Sequence, residues 1–228
     1  MKTQSKRLEQ GFTLIELLVV ITIIAILASA AVPTFNIVQD KANQTSTAGN
    51  ARQICAALKL YAGDNNGAYP DSADKKEQPT TSNDAFRLLF KAGIMEDERI
   101  FSAKTSKYIP DNNIGEQPEY TEALEASENH WAMTKNVTDS SPALMPLVFE
   151  NPVSQGWPPM WNCDAIGKRD RGRAWRGGKI IVGFNDSSVQ PISLDSAKGG
   201  SVGPKDLGGG KNYFTQYGEE GEFLDILE

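Results

Sequence analysis

One glutamate stands inside an otherwise apolar run. Phe12 to Val32 reads FTLIELLVVITIIAILASAAV, interrupted only by Thr13, Glu16, Thr22 and Ser29. A carboxylate deep in hydrocarbon costs about 2.5–3.5 kcal/mol on insertion scales and persists where it has a partner. A cation alongside would remove that penalty, because opposite charges attract far more strongly in low dielectric than in water. The other chemistry-bearing residue types are sparse. His130 is the only histidine and sits beside Trp131, so it reads as a packed, hydrogen-bonded structural residue, since a catalytic base also needs an orienting partner and a target. No serine elbow, HExxH, Walker loop or GxGxxG is present, and the 29 acidic residues single out no glycosidase-type pair. No catalytic residue, cofactor or metal is therefore expected.

Cys55 and Cys163 have no neighbouring Cys or His at zinc-ligand spacing. Two readings of the pair stand open: a disulfide closing a long loop outside the cytoplasm, or two small buried hydrophobes. Asp64, Asn66 and Gly67 have the flavour of a calcium loop, but the twelfth position from Asp64 is Lys75, where such a loop needs a bidentate Glu. They read as a helix-ending turn. Lys168, Arg169, Arg171, Arg173, Arg176 and Lys179 form one basic cluster in an acidic chain. It is either a solvated loop or an electrostatic contact between subunits.

The elements that must carry these residues follow from periodicity. About 20 apolar residues at ~1.5 Å of rise match the ~30 Å core of a bilayer. Beyond it, Phe35, Val38, Ala42, Ile54, Ala57, Leu58 and Tyr61 recur at helical spacing. One helix from Phe12 to about Tyr61 is expected, bent but not stopped at Pro33. Asp84 to Ala92 predicts a short amphipathic helix with an acidic cap, ending at Gly93. His130–Met133 and Ala143–Phe149 predict buried strands, with Pro146 arguing for an edge or a later start. The clearest signal is Gly178–Leu194, where β-branched runs flank Asn185-Asp186-Ser187-Ser188 and predict a hairpin. Trp157-Pro158-Pro159-Met160-Trp161 is an aromatic loop, either a contact surface or, more in keeping with its composition, a satellite core. Tyr213–Glu228 is an acidic tail whose Phe223, Leu224, Ile226 and Leu227 can dock locally.

Arg7 to Pro33, centred on Gly11-Phe12-Thr13-Leu14-Ile15-Glu16, resembles the class III signal of type IV pilins and type II secretion pseudopilins. The resemblance covers the first ~35 residues strongly. It implies cleavage by a prepilin peptidase between Gly11 and Phe12, methylation of the new Phe12 amine, and pairing of Glu16 with a neighbouring subunit's amine during filament assembly. The 178–194 hairpin resembles one near the end of larger pseudopilin-like proteins, where Gly and His commonly stand in place of Ser187 and Ser188. The fold implied is α+β: a long amino-terminal helix, membrane-spanning in its first half, packed on a small antiparallel sheet. The divisions are a leader at 1–11, a transmembrane and assembly helix at 12–33, its soluble half at 34–62, and a periplasmic domain at 63–228.

Charge agrees with that topology. The chain of 228 residues carries −6 overall, and removing the leader's Lys2, Lys6 and Arg7 against Glu9 would leave −8. That balance disfavours nucleic-acid binding. A basic start before an apolar helix places it in the cytoplasm and the rest beyond the inner membrane. The reading is a structural subunit of a secretion filament, with other pseudopilins and an inner-membrane assembly platform as partners. A type IV pilin of a surface fibre is the alternative within the class. From another class comes a secreted binding protein or enzyme with an ordinary signal peptide, for which Ala28-Ser29-Ala30 fits a small-x-small cleavage rule.

Overall fold

A computed structural model describes residues 12–73 and 78–228, without the side chains of 30–34. Helix α1, Leu14–Asp64, is a single element of 51 residues. It passes through position 33 as helix; the Pro33 side chain, and with it the expected bend, lies outside the described residues. It stops where the turn formers begin: Asn66 and Gly67 take positive φ, and the Gly67 amide returns to the Ala62 carbonyl at 2.8 Å. The chain divides into two compact units, Met1–Lys41 and Ala42–Glu228.

In the first unit every described apolar side chain is exposed. That includes Phe35 at 68% and Val38 at 60%, which corrects the expectation that they continue the packed helical face. The periodic face begins later. Ala51, Ile54, Cys55, Leu58 and Ala62 are fully buried, because their three- and four-residue spacing keeps one stripe toward the sheet.

Helix α2, Ser82–Lys91, is capped by Thr81. Thr81 Oγ1 accepts from the Asp84 amide at 3.2 Å, while Asp84 Oδ2 accepts from the Thr81 amide at 3.0 Å. Asp84 is thus the third helical residue of a capping box; the cap itself is Thr81. Phe86, Leu89 and Phe90 turn inward.

Five strands form one antiparallel sheet: β1 Trp131–Thr134, β2 Pro146–Glu150, β3 Lys179–Phe184, β4 Val189–Ser193 and β5 Phe223–Leu224, in the order β4-β3-β2-β1-β5. The β3–β4 hairpin runs in unbroken register from Lys179↔Ser193 to Gly183↔Val189. Its turn is closed by the Phe184 amide to the Ser188 carbonyl at 2.8 Å, with Ser187 at φ 64°. Strand β2 starts on Pro146 yet lies inside the sheet, which corrects the edge reading. The register shifts between Pro146 and Val148, and this irregularity accommodates the missing amide.

Alternate residues of the central strands enter two separate cores. Trp131, Met133, Val148 and Ile181 join α1 and α2 on one face. Ala132, Phe149, Ile180, Val182 and Phe184 join Trp161, Cys163, Ala174 and Phe214 on the other, a layer built of loops. Burial on both faces explains why these strands read as continuous apolar runs. The last residues are strapped down. Strand β5 pairs with β1, Arg171 bonds the Asp225 carboxylate and, at 3.2 Å, Glu228, and Tyr108 donates its hydroxyl to Glu228 at 2.6 Å.

Candidate functional site

The amino-terminal turn of α1 is organised by two residues. The Glu16 carboxylate accepts the Thr13 amide at 2.9 Å and the Thr13 hydroxyl at 2.7 Å, and the Glu16 amide points to Thr13 Oγ1 at 3.3 Å. This is a reciprocal capping box, so Thr13 starts the helix and Glu16 lies over the turn that Phe12 precedes. The T-x-x-E spacing of Thr13 and Glu16 is the sequence signature of such a box. Further along, Thr22 Oγ1 donates to the Leu18 carbonyl at 2.8 Å and Ser29 Oγ to the Ile26 carbonyl at 2.7 Å. Every polar side chain described between Phe12 and Ser29 is thereby bonded inside its own helix.

The rest of that surface is apolar and unpartnered. Phe12 is 77% exposed, Leu14 87% and Ile15 71%, and the exposed positions continue all round the helix through Leu27. A helix apolar on every face is one that buries itself in lipid or among other helices. Among the described residues, no helix is long and apolar enough to cross a membrane. The leader with Gly11 lies outside the described residues.

The structure separates the predicted cysteine pair. Both thiols are free and buried. Cys55 belongs to the core on the helical face of the sheet and Cys163 to the core on the loop face. The sheet stands between them, which corrects the disulfide reading in favour of two buried hydrophobes.

The basic cluster is also divided. Arg173 is 3% exposed; its Nε donates to the Thr105 carbonyl at 3.1 Å and its guanidinium stacks 4.2 Å from the Trp175 ring. Arg171 is turned toward Asp225 and Glu228, with Nε on the Pro152 carbonyl at 3.0 Å. Neither is available to another subunit, because each already bonds groups of its own chain. Arg169 and Arg176 remain exposed.

His130 sits in a sealed polar line. Its Nε2 faces Glu150 at 3.1 Å, and its Nδ1 faces both Ser106 Oγ and Asn151 Nδ2 at 2.9 Å. Hydroxyl, imidazole and carboxylate are the parts of a catalytic triad, but Asn151 occupies the nitrogen that a serine proton would need. Burial leads in holding the His130 pKa down. Glu150 is a hub that sequence reading missed. On the second β strand's last residue, it accepts the Trp175 indole at 2.8 Å and the Ile181 amide at 2.7 Å.

Glu98, Asp111 and Glu128 bring carboxylate oxygens within 4.8 Å of one another, a grouping of the kind that can hold a cation. Their oxygens already tie the loop together: Glu98 takes the Asn112 and Leu124 amides, and Glu128 those of Asp111 and Glu125. Burial first, then the charges of Glu128 and Asp111, push Glu98 up to about 7.

An apolar, capped amino-terminal helix continuing into an α+β domain is the architecture of pilin-like subunits. Residues 6–32 match the prokaryotic N-terminal methylation motif. The type II secretion system core protein G of Pseudomonas aeruginosa is 43% identical over 67 residues, 29% of this chain and 46% of that one. The protein of the same description from Klebsiella michiganensis is 33% identical over 101 residues, 44% of this chain and 62% of that one. That from Aeromonas hydrophila is 43% identical over 65 residues, 28% and 45%. The chain thus spans about half the length of the curated relatives it matches. No solved structure matches it. Motif and relatives together make the amino-terminal segment of this chain similar to that of type II secretion system core proteins G.

Proposed function

We propose that this chain is a pseudopilin-type structural subunit. Prepilin peptidase cuts it between Gly11 and Phe12 and methylates Phe12; the first part of α1 anchors it in the inner membrane with the domain on the periplasmic side. Subunits then pass through an inner-membrane assembly platform into a periplasmic filament that drives export. The observation that carries this reading is the helix from Leu14 to Ser29, exposed on every face, capped by the Thr13–Glu16 pair, inside the segment that matches the methylation motif. Such a surface has to be covered, and identical helices bundled side by side cover it. A new Phe12 amine, one residue before the Thr13–Glu16 pair, meets a carboxylate already oriented at the helix start.

Sequencing of the mature amino terminus tests the reading. N-methylated Phe12 is the expected result. A terminus at Ala31 would mean an ordinary signal peptide, and one at Met1 or Lys2 an uncleaved anchor; either overturns it.

A further inference from the structure

We propose that the globular domain carries both halves of a head-to-tail contact with a second copy of this chain: an acid-rimmed aromatic groove beside β5, and the basic loop at Lys168-Arg169 that fills it. The inference rests on the filament reading above and says which domain surfaces meet.

The groove, about 390 Å³ and open to solvent, is lined by the buried Phe214, by Trp157 and the exposed Tyr217, and by the exposed Glu220. It is a fixed shape. The Trp157 indole lies so close to Gly221 that a Cβ there would come within 2.4 Å of the ring, and Phe214 meets it edge-on at 5.6 Å. Tyr217 is 43% exposed. Trp157 Nε1 and Thr134 Oγ1, on groove residues, are buried and have no hydrogen-bond partner among the described residues. Lys135 is engaged with Glu222 at 2.6 Å, while Glu220 and the adjacent Glu219 are exposed and make no ion pair among the described residues. Aromatic faces beside uncompensated carboxylates select a planar cation that can stack and form an ion pair, which is guanidinium chemistry.

The same domain presents that cation. Lys168 and Arg169 are exposed and make no ion pair among the described residues, with Asp170 offsetting one of their two charges. Their loop stands on an anchored stem. Asn162 Oδ1 caps the turn Cys163–Ala165, taking the Asp164 and Ala165 amides at 2.9 and 3.1 Å, and Asp164 takes the Gly199 amide at 2.9 Å. On the far side Arg171 is locked to Pro152 and Asp225. Two different patches that fit each other make a heterologous contact, which propagates into an open helical array when its rotation does not close. A filament requires that kind of interface.

The test uses the full chain in membranes where it is processed, with Arg169→Cys and Glu220→Cys cross-linking between copies, and the reversals Arg169→Glu and Glu220→Lys made singly and together. The natural cysteines are buried and do not compete. Each single reversal is expected to lower assembled, cross-linkable filament about tenfold, with the double reversal returning it to within about twofold of wild type. Single reversals that leave assembly unchanged, or a double reversal that fails to restore it, overturn the contact and leave the filament reading standing. Cross-linking of either cysteine to another protein instead overturns the choice of occupant. Processed wild-type chain that stays monomeric overturns both.

Discussion

At the scale of single residues, Glu16 has two separable duties. As the third residue of α1 it holds the Thr13 cap, and in the proposed assembly its carboxylate offers charge to a new amine. Glu16→Gln keeps a side chain that can close a capping box but removes the charge; Glu16→Val removes both. We expect cleavage at Gly11 in both variants and filament, measured by sedimentation of sheared material, in neither. Filament from Glu16→Gln would assign the residue to capping alone. Glu98 gives a pH test. Unfolded, its carboxyl titrates near 4.5; folded, it is pushed up to about 7. Between those values the unfolded chain has released a proton that the folded chain keeps. Its contribution is therefore complete below 4.5 and is lost as pH rises through 7. Melting temperatures of wild type should fall across that window more steeply than those of Glu98→Gln, and parallel profiles would show that Glu98 does not titrate there.

Among the elements, the β3–β4 hairpin and the buried half of α1 meet at one point. A Cβ on Gly183 would come within 2.5 Å of Cys55 Sγ. Gly183→Ala is expected to cost about 1–3 kcal/mol by overpacking. Cys55→Ala should then recover most of that loss, since it removes the clashing sulfur, and urea unfolding of the four-member cycle measures the coupling. Elements set by local pattern were legible beforehand: the hairpin from its β-branched runs and polar turn, α2 from its apolar spacing. A missing amide at Pro146 is by itself an edge signal, and only the partner strand shows the register shift that absorbs it. Phe35 and Val38 continue the helical period of the buried stripe, so spacing alone could not say where the packed face begins.

Across the whole molecule, what escaped the sequence is what joins distant segments. The Thr13–Glu16 pair and the methylation motif lie within neighbouring turns. By contrast, Arg171 reaches Asp225, Tyr108 reaches Glu228, and Glu150 gathers His130, Trp175 and the Ile181 amide. No local period encodes those pairings. They split a basic run that looked uniform, and the split is measurable. Arg171→Ala strands the buried Asp225 carboxylate and should destabilise the domain by about 2–3 kcal/mol, at the low end for a broken buried pair because Arg171 is partly exposed. Arg169→Ala, on the surface, should stay within about 0.5 kcal/mol. Equal losses would mean that the clasp around β5 contributes nothing of its own.

The sheet that separates the two thiols has a further consequence, for redox chemistry. Burial pushes the Cys55 thiol up to about 12 and raises that of Cys163. Thiolate, the reactive form, is therefore scarce at both sites while the fold is closed. With no internal cross-link to make or break, the domain keeps one covalent structure on the reducing and the oxidising side of a membrane. Its cysteines then act as a clock: alkylation of Cys55 reports only how often the helical face lifts from the sheet.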